Sequence, residues 1–162
     1  MPTFTIEQFD YGKHLNRVAL MVPCKESQVE LDSSPLKELG FTTAQVLMDA
    51  LIGSEEAFVV IDVDSHRLLG LFGAAQQVIK GQIIIVPWFI TTGFEREPQN
   101  VRPFLRASRV MLKEWGHMCR GKLMMNTCLN NPRITKWLKW LGFTVEESKD
   151  KQFVTFIKKG GT

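Results

Sequence analysis

Histidine and cysteine are the side chains that most readily do chemistry near neutral pH, and the sequence holds three of each: His14, His66, His117, Cys24, Cys119 and Cys128. A metal site needs several such groups at ligand spacing, and a thiol nucleophile needs a histidine within hydrogen-bond reach. The histidines are scattered, and no two cysteines form a CxxC pair. The spacing therefore predicts no metal site, no disulfide framework and reduced thiols. His117 and Cys119 are two apart in a predicted helix and point in different directions. Asp62, just before VDSHR, and Asp64 within it sit in a hairpin turn, where aspartate ordinarily bonds local amides. No residue is nominated as catalytic.

The charge pattern points instead to recognition of anions. Residues 1–101 carry 7 Lys/Arg against 13 Asp/Glu, whereas residues 102–162 carry 13 against 4. Local potential governs encounter, so the basic part can draw phosphates, nucleic acid or an acidic protein. Arg102, Arg106, Arg109 and Lys113 line one face of a predicted helix, a stripe that could follow a phosphate backbone. The plainer reading is a solvated helix face, because no nucleic-acid recognition motif accompanies the stripe.

These side chains must be positioned by the elements of a chain of 162 residues, the size of one domain spanning 1–162. TFTIEQF reads as a strand, and Asp10 caps a helix from Tyr11 to about Met21 whose buried side is Leu15, Val18 and Leu20 to Val22. CKESQVELDSSPLKELGF is polar and turn-rich and reads as a surface loop. A second helix is capped by Thr42 or Thr43, buries Val46, Leu47, Ala50 and Leu51, and ends at Gly53. Ala57–Asp62, Leu68–Val78 and Gln82–Ile90 then form an antiparallel meander, bulged, splayed or at an edge near Pro87, which has no N–H to give. A loop, TTGFEREPQN, leads to a long helix from about Pro103 to Arg120. KLMMNT is a buried strand. In NNPRITKWLKWLGF, Asn130 or Asn131 caps a helix with Ile134, Trp137, Leu138 and Leu141 inward, and Gly142 closes it in the left-handed conformation. FTVEE and QFVTFIKK are strands about the turn SKDK, and GGT is a loose tail. The longest apolar runs fall short of a membrane span, and the N-terminus has no leader character, so an unexported protein is expected.

Strand, two helices, three strands, helix, strand, helix and two strands predict an α/β fold: one mixed sheet of about seven strands flanked by about four helices. That order resembles the GCN5-related N-acetyltransferase (GNAT) superfamily over nearly the whole chain. Asn131, Ile134 and Gly142-Phe143 match its pattern of asparagine, helix and Gly-Phe strand start. PWFIT, the basic helix, NNPRITKWLKWLGF and QFVTFIKKGG also look like the internal virion proteins, the gene-thirteen products, of short-tailed phages, themselves acetyltransferase-like.

The resemblance implies a turn whose backbone amides face the pyrophosphate of acetyl-CoA at a helix N-terminus. In place of the superfamily's Gln/Arg-x-x-Gly-x-Gly/Ala, this sequence has REPQNV. Gln99 and Val101 occupy the glycine places, and Pro98 removes an amide donor. If acetyl-CoA binds, Arg96, Asn100, Arg102 and Asn131 are the candidate contacts. The superfamily's acid is often a tyrosine four residues before the glycine, where Leu138 stands; the only tyrosine is Tyr11. The expectation is a GNAT-like phage protein of virion morphogenesis or the virion interior, without turnover or resident cofactor, in the host cytoplasm and the virion. The alternative is an active acetyl-CoA-dependent N-acetyltransferase acting on a protein or small-molecule amine. Arg106, Arg109, Lys113, Arg133, Lys136 and Trp140 are candidates for binding a phage or host protein, with nucleic acid the lesser expectation. Trp140 falls at the border of the basic face, and Trp and Arg are favoured interface anchors.

Overall fold

Seven strands form one sheet in the order β1-β2-β3-β4-β5-β7-β6 in this computed structural model, which describes residues 3–147, 149 and 151–159. The strands are β1 (Phe4–Gln8), β2 (Ser54–Asp62), β3 (Leu68–Ile79), β4 (Gln82–Thr91), β5 (Leu123–Leu129), β6 (Thr144–Glu147) and β7 (Phe153–Lys159). The helices are α1 (Tyr11–Val18), α2 (Lys25–Asp32), α3 (Pro35–Glu38), α4 (Thr43–Ile52), α5 (Pro98–Glu114), α6 (Gly116–Cys119) and α7 (Pro132–Trp140). β4 and β5 run parallel, while β1–β2, β2–β3, β5–β7 and β6–β7 are antiparallel, so the sheet is mixed as expected. The chain divides into two compact units, Met1–Ala75 with Trp88–Phe104, and Gln76–Pro87 with Leu105–Thr162.

In the first unit the pleat of β2 sends alternate residues to opposite faces. Ala57, Val59 and Ile61 pack with Val18, Met21, Leu31, Val46, Leu47 and Leu51 from the α1–α4 segment. Val60 turns the other way, onto Phe4 and Phe94, with Phe89 and Phe104 against them. Asp10 caps α1 by accepting the Lys13 N–H at 2.9 Å. Thr42, rather than Thr43, caps α4, and Gln45 returns the bond to the Thr42 N–H at 2.8 Å. Gly73 lies where the chain is tightest: a Cβ there would meet the Glu56 carbonyl oxygen at 2.5 Å and the Trp88 ring at 3.0 Å.

Three sequence expectations are corrected in this unit. α1 stops at Val18, so the helical phase is lost and Leu20 and Val22 face solvent, leaving Val18 and Met21 as the buried pair. The segment read as a surface loop contains α2 and α3; Ser27 and Leu31, four apart, face inward, and Ser34 caps α3 ahead of Pro35. α5 begins at Pro98 rather than Pro103. Pro103 therefore sits inside the helix, where it has no N–H to bond the preceding turn.

In the second unit Lys80 and Gly81, both with positive φ, make the two-residue hairpin between β3 and β4. The described β4–β5 register is Ile84↔Leu123 and Ile85↔Met124. Two residues further on, the Pro87 carbonyl instead takes a hydrogen bond from the Asn126 amide at 2.7 Å. The described β4–β5 ladder thus stops before the proline, which has no N–H to give. α5 ends at Glu114 and the separate turn α6 follows, a shorter helix than the sequence suggested. Asn131 caps α7, and Gly142, at φ 98°, closes it in the left-handed region as expected. Phe143 then packs edge-on to Phe156 of β7. The expected turn SKDK includes Ser148 and Asp150, and the GGT tail is 160–162; these lie outside the described residues.

Candidate functional site

Arg96, Asn100 and Arg102, the expected cofactor contacts of the first unit, lie between the end of β4 and the second turn of α5. Gly93, at φ 101°, turns the chain out of β4, and Phe94–Arg96 makes one short 3-10 turn. Phe94 is buried against Phe4 and Phe104, which fixes the turn to the sheet.

Asn100 is fully buried, and its side chain is committed to the protein. Its Oδ1 accepts from the Thr3 N–H and lies within 3.1 Å of the Thr3 hydroxyl, while its Nδ2 donates to the Phe94 carbonyl at 3.1 Å. The side chain ties the entry of β1 to the turn before α5, and the contact with a ligand that the sequence suggested would have to compete with these bonds. Arg96 is also occupied. Its Nη2 donates to Glu26 Oε2 at 2.7 Å and lies 3.7 Å from Cys24 Sγ. The Arg96 hydrogen bond holds the Glu26 carboxyl down to about 2. Arg102 is exposed and makes no hydrogen bond or ion pair among the described residues.

The same α2 segment closes the end of β4. Thr92 N–H donates to Leu69 of β3, so the backbone groups of Thr91 point away from β3. Thr91 N–H donates to Ser27 Oγ at 3.0 Å, and its carbonyl accepts the Cys24 N–H at 2.8 Å. Sequence reasoning missed this contact, because nothing in the polar stretch around Cys24 announces a partner some sixty residues away. At the first turn of α5, Pro98 has no N–H, and the Glu97 carboxylate accepts from the Gln99 side chain at 3.1 Å. A carboxylate at this position already meets the positive end of the helix.

The fit to a CoA diphosphate is therefore partial. The N-terminus of α5 and the unpaired Arg102 favour an anion. Glu97, the Arg96–Glu26 pair and the closed Thr91 edge must give way before a phosphate and an extended amide arm can occupy this stretch.

Asn131, the fourth candidate contact, lies in the second unit, where its Oδ1 accepts the Arg133 N–H at 2.9 Å as the helix cap. The partner-binding candidates also lie there. Arg109 of α5 stacks on Trp140 of α7, with its guanidinium carbon 3.9 Å from the ring centroid. One turn away, Trp137 Nε1 donates to Ser108 Oγ at 3.2 Å. Arg106, Lys113, Arg133 and Lys136 are exposed on these two helices.

The other titratable groups serve the fold. The Asp62 carboxylate accepts from the Ser65 N–H at 2.7 Å and hydroxyl at 2.6 Å, which lowers its pKa and makes it the turn residue expected. Burial pushes the Cys119 thiol up, away from a nucleophile's range. His14 is fully buried: Asp10 N–H can only donate, so Nδ1 accepts it at 2.9 Å and Nε2 carries the proton given to Glu7 at 2.7 Å. Among the described residues no group of three or more His, Cys, Asp or Glu could hold a metal, and no helix is long and apolar enough to cross a membrane.

No protein-family model and no curated protein matches the chain. Solved structures do match it over nearly its full length. Aminoglycoside 6′-acetyltransferase type Ii aligns with TM-score 0.61 at 15% identity, over 98% of each chain. A ribosomal-protein-S5-alanine acetyltransferase from Vibrio fischeri gives 0.60 at 14% identity, over 99% of this chain and 94% of that one. A ribosomal L7/L12 α-N-protein acetyltransferase in complex with coenzyme A gives 0.54 at 11% identity, over 98% and 95%. The likeness is one of fold: the chain has the GNAT fold. The resemblance to phage internal virion proteins gains no support from these comparisons.

Proposed function

We propose that this chain is an acetyl-CoA-dependent N-acetyltransferase acting on an amine of a protein or small molecule. The observation that carries the reading is the full-length GNAT fold, with α5 starting just after the end of β4 and Arg102 left unpaired beside its first turn. The acetyltransferases with this fold, one of them solved with coenzyme A, support it.

In this reading the positive end of α5 and Arg102 hold the diphosphate, because helix dipole and guanidinium both favour anions. The cofactor supplies an activated acetyl thioester. Leu138 stands where the superfamily often has its tyrosine, so the chain would contribute orientation, with water taking the proton of the attacking amine and protonating the thiolate that leaves as the C–S bond breaks. Loading requires the α2 contacts to Thr91 and Arg96 to open. Mass spectrometry of the purified protein with acetyl-CoA and a panel of amines and lysate proteins should find products gaining one acetyl group. Arg102→Ala should raise KM for acetyl-CoA several-fold. No acetyl product, with the protein folded, would refute turnover.

One set of observations favours a second reading. Arg96, Asn100 and the Thr91 edge are all bonded within the protein, as expected of a GNAT fold kept for its surface alone. The phage form of that reading, a component of virion assembly, predicts the protein in assembly intermediates or purified particles by proteomics. Its absence from both, with normal particles made without it, would refute that form.

A further inference from the structure

We infer that the outer face of α5 and α7 is a binding surface for single-stranded nucleic acid, independent of whether acetyl-CoA binds. Arg106, Arg109 and Lys113 follow one another at three- and four-residue steps on α5, and Lys136 and Lys139 stand three apart on α7. Such neighbours share a helix face, and like charges there destabilise the helix. None of the five makes an ion pair among the described residues. α7 contains no acidic residue, and α5 contains none before Glu114. The repulsion is thus left uncompensated within the two helices, and a polyanion relieves it.

The second observation is the platform between the helices. Trp140 is 42% exposed, and Arg109 covers one face of its ring at 3.9 Å. Indole and guanidinium are planar surfaces on which an unpaired base can stack, while the surrounding cations meet the backbone phosphates. An acidic protein segment shares the charge complementarity, but lysines are depleted from the centres of protein interfaces. A duplex also offers phosphates, yet it hides its base faces from the Arg109–Trp140 stack. The platform lies 12 residues beyond Glu97 along the chain. It is therefore not the anion position at the start of α5.

The test is fluorescence anisotropy of a labelled single-stranded RNA of about 20 nucleotides, titrated with the full chain at several salt concentrations. Five neutralised phosphates predict a log–log salt slope of about −3.5, or roughly a hundred-fold weaker binding between about 50 and 200 mM salt. Arg106→Glu with Lys113→Glu should flatten the slope and weaken binding at least ten-fold. Trp140→Ala should weaken it several-fold with the slope unchanged, and Arg109→Gln gives a second probe of the platform if that variant folds poorly. A circular dichroism melt checks each fold. Absence of binding at low salt, or unchanged binding by the charge-reversed variant, would overturn the proposal. So would equal competition by polyglutamate, which would move the surface to acidic proteins, or by an RNA duplex, which would remove the stacking.

Discussion

Asn100 shows how a polar residue beside a predicted binding loop becomes part of the scaffold. Replacing it by alanine leaves the partly buried Thr3 N–H without its acceptor and takes one of two donors from the Phe94 carbonyl, which keeps the Glu97 N–H. The lost bonds predict a fall of about 1–3 kcal/mol, measurable by urea unfolding, whereas Arg102→Ala should leave stability unchanged. The Glu26–Arg96 pair makes a different prediction. The folded-state pKa of Glu26 is depressed from 4.5 to about 2. Its contribution is therefore complete above pH 4.5 and fades as pH falls toward 2. Both side chains are partly exposed, 22% and 36%, so screening limits the effect to about 1 kcal/mol. Glu26→Gln should remove that part of the acid sensitivity in unfolding midpoints measured across the range. Neither role was legible in the sequence, because Asn100 and Thr3 are 97 positions apart and Arg96 and Glu26 are 70 apart. Caps and turns were legible, since Asp10, Asp62, Asn131 and Gly142 act on backbone groups next to them.

At the scale of elements, backbone crowding decides what can change. Gly73→Ala would drive a Cβ into the Glu56 carbonyl, a backbone atom that cannot rotate away. A loss of about 2 kcal/mol or more is expected, read as a drop in the melting temperature. Pro103→Ala should do the reverse. It restores an N–H inside α5 and improves helix propensity, raising stability by about 1 kcal/mol or more in the same assay. The strands were plain in the sequence as apolar runs bounded by turn residues, as was a disturbance near Pro87. α2 escaped notice because its inward residues include Ser27, which carries no apolar signal, and its bond to Thr91 is a tertiary one. The start of α5 was misplaced because Pro98 and Pro103 both suit a first turn, and only the turn at Gly93–Arg96 selects the earlier.

For the whole molecule, the order of elements predicted an α/β fold of one mixed sheet covered by helices, and the resemblance of that order to the GNAT superfamily supplied the particular fold. The catalytic state was not readable in the same way. Under the proposed function it turns on whether α2 stays bonded to β4 and Arg96, contacts that join distant parts of the sequence. The most direct measurement is a thermal-shift titration with acetyl-CoA, using CoA and ADP as controls. Ligand at a hundred times its Kd adds about 2.7 kcal/mol to stability, and at this chain length each kcal/mol raises the melting temperature by roughly 2–4 °C. The predicted result is a saturable rise of about 5–10 °C with the CoA compounds, smaller in Arg102→Ala. No rise at millimolar acetyl-CoA, in protein shown to be folded, would contradict the account and leave a GNAT fold maintained without its cofactor.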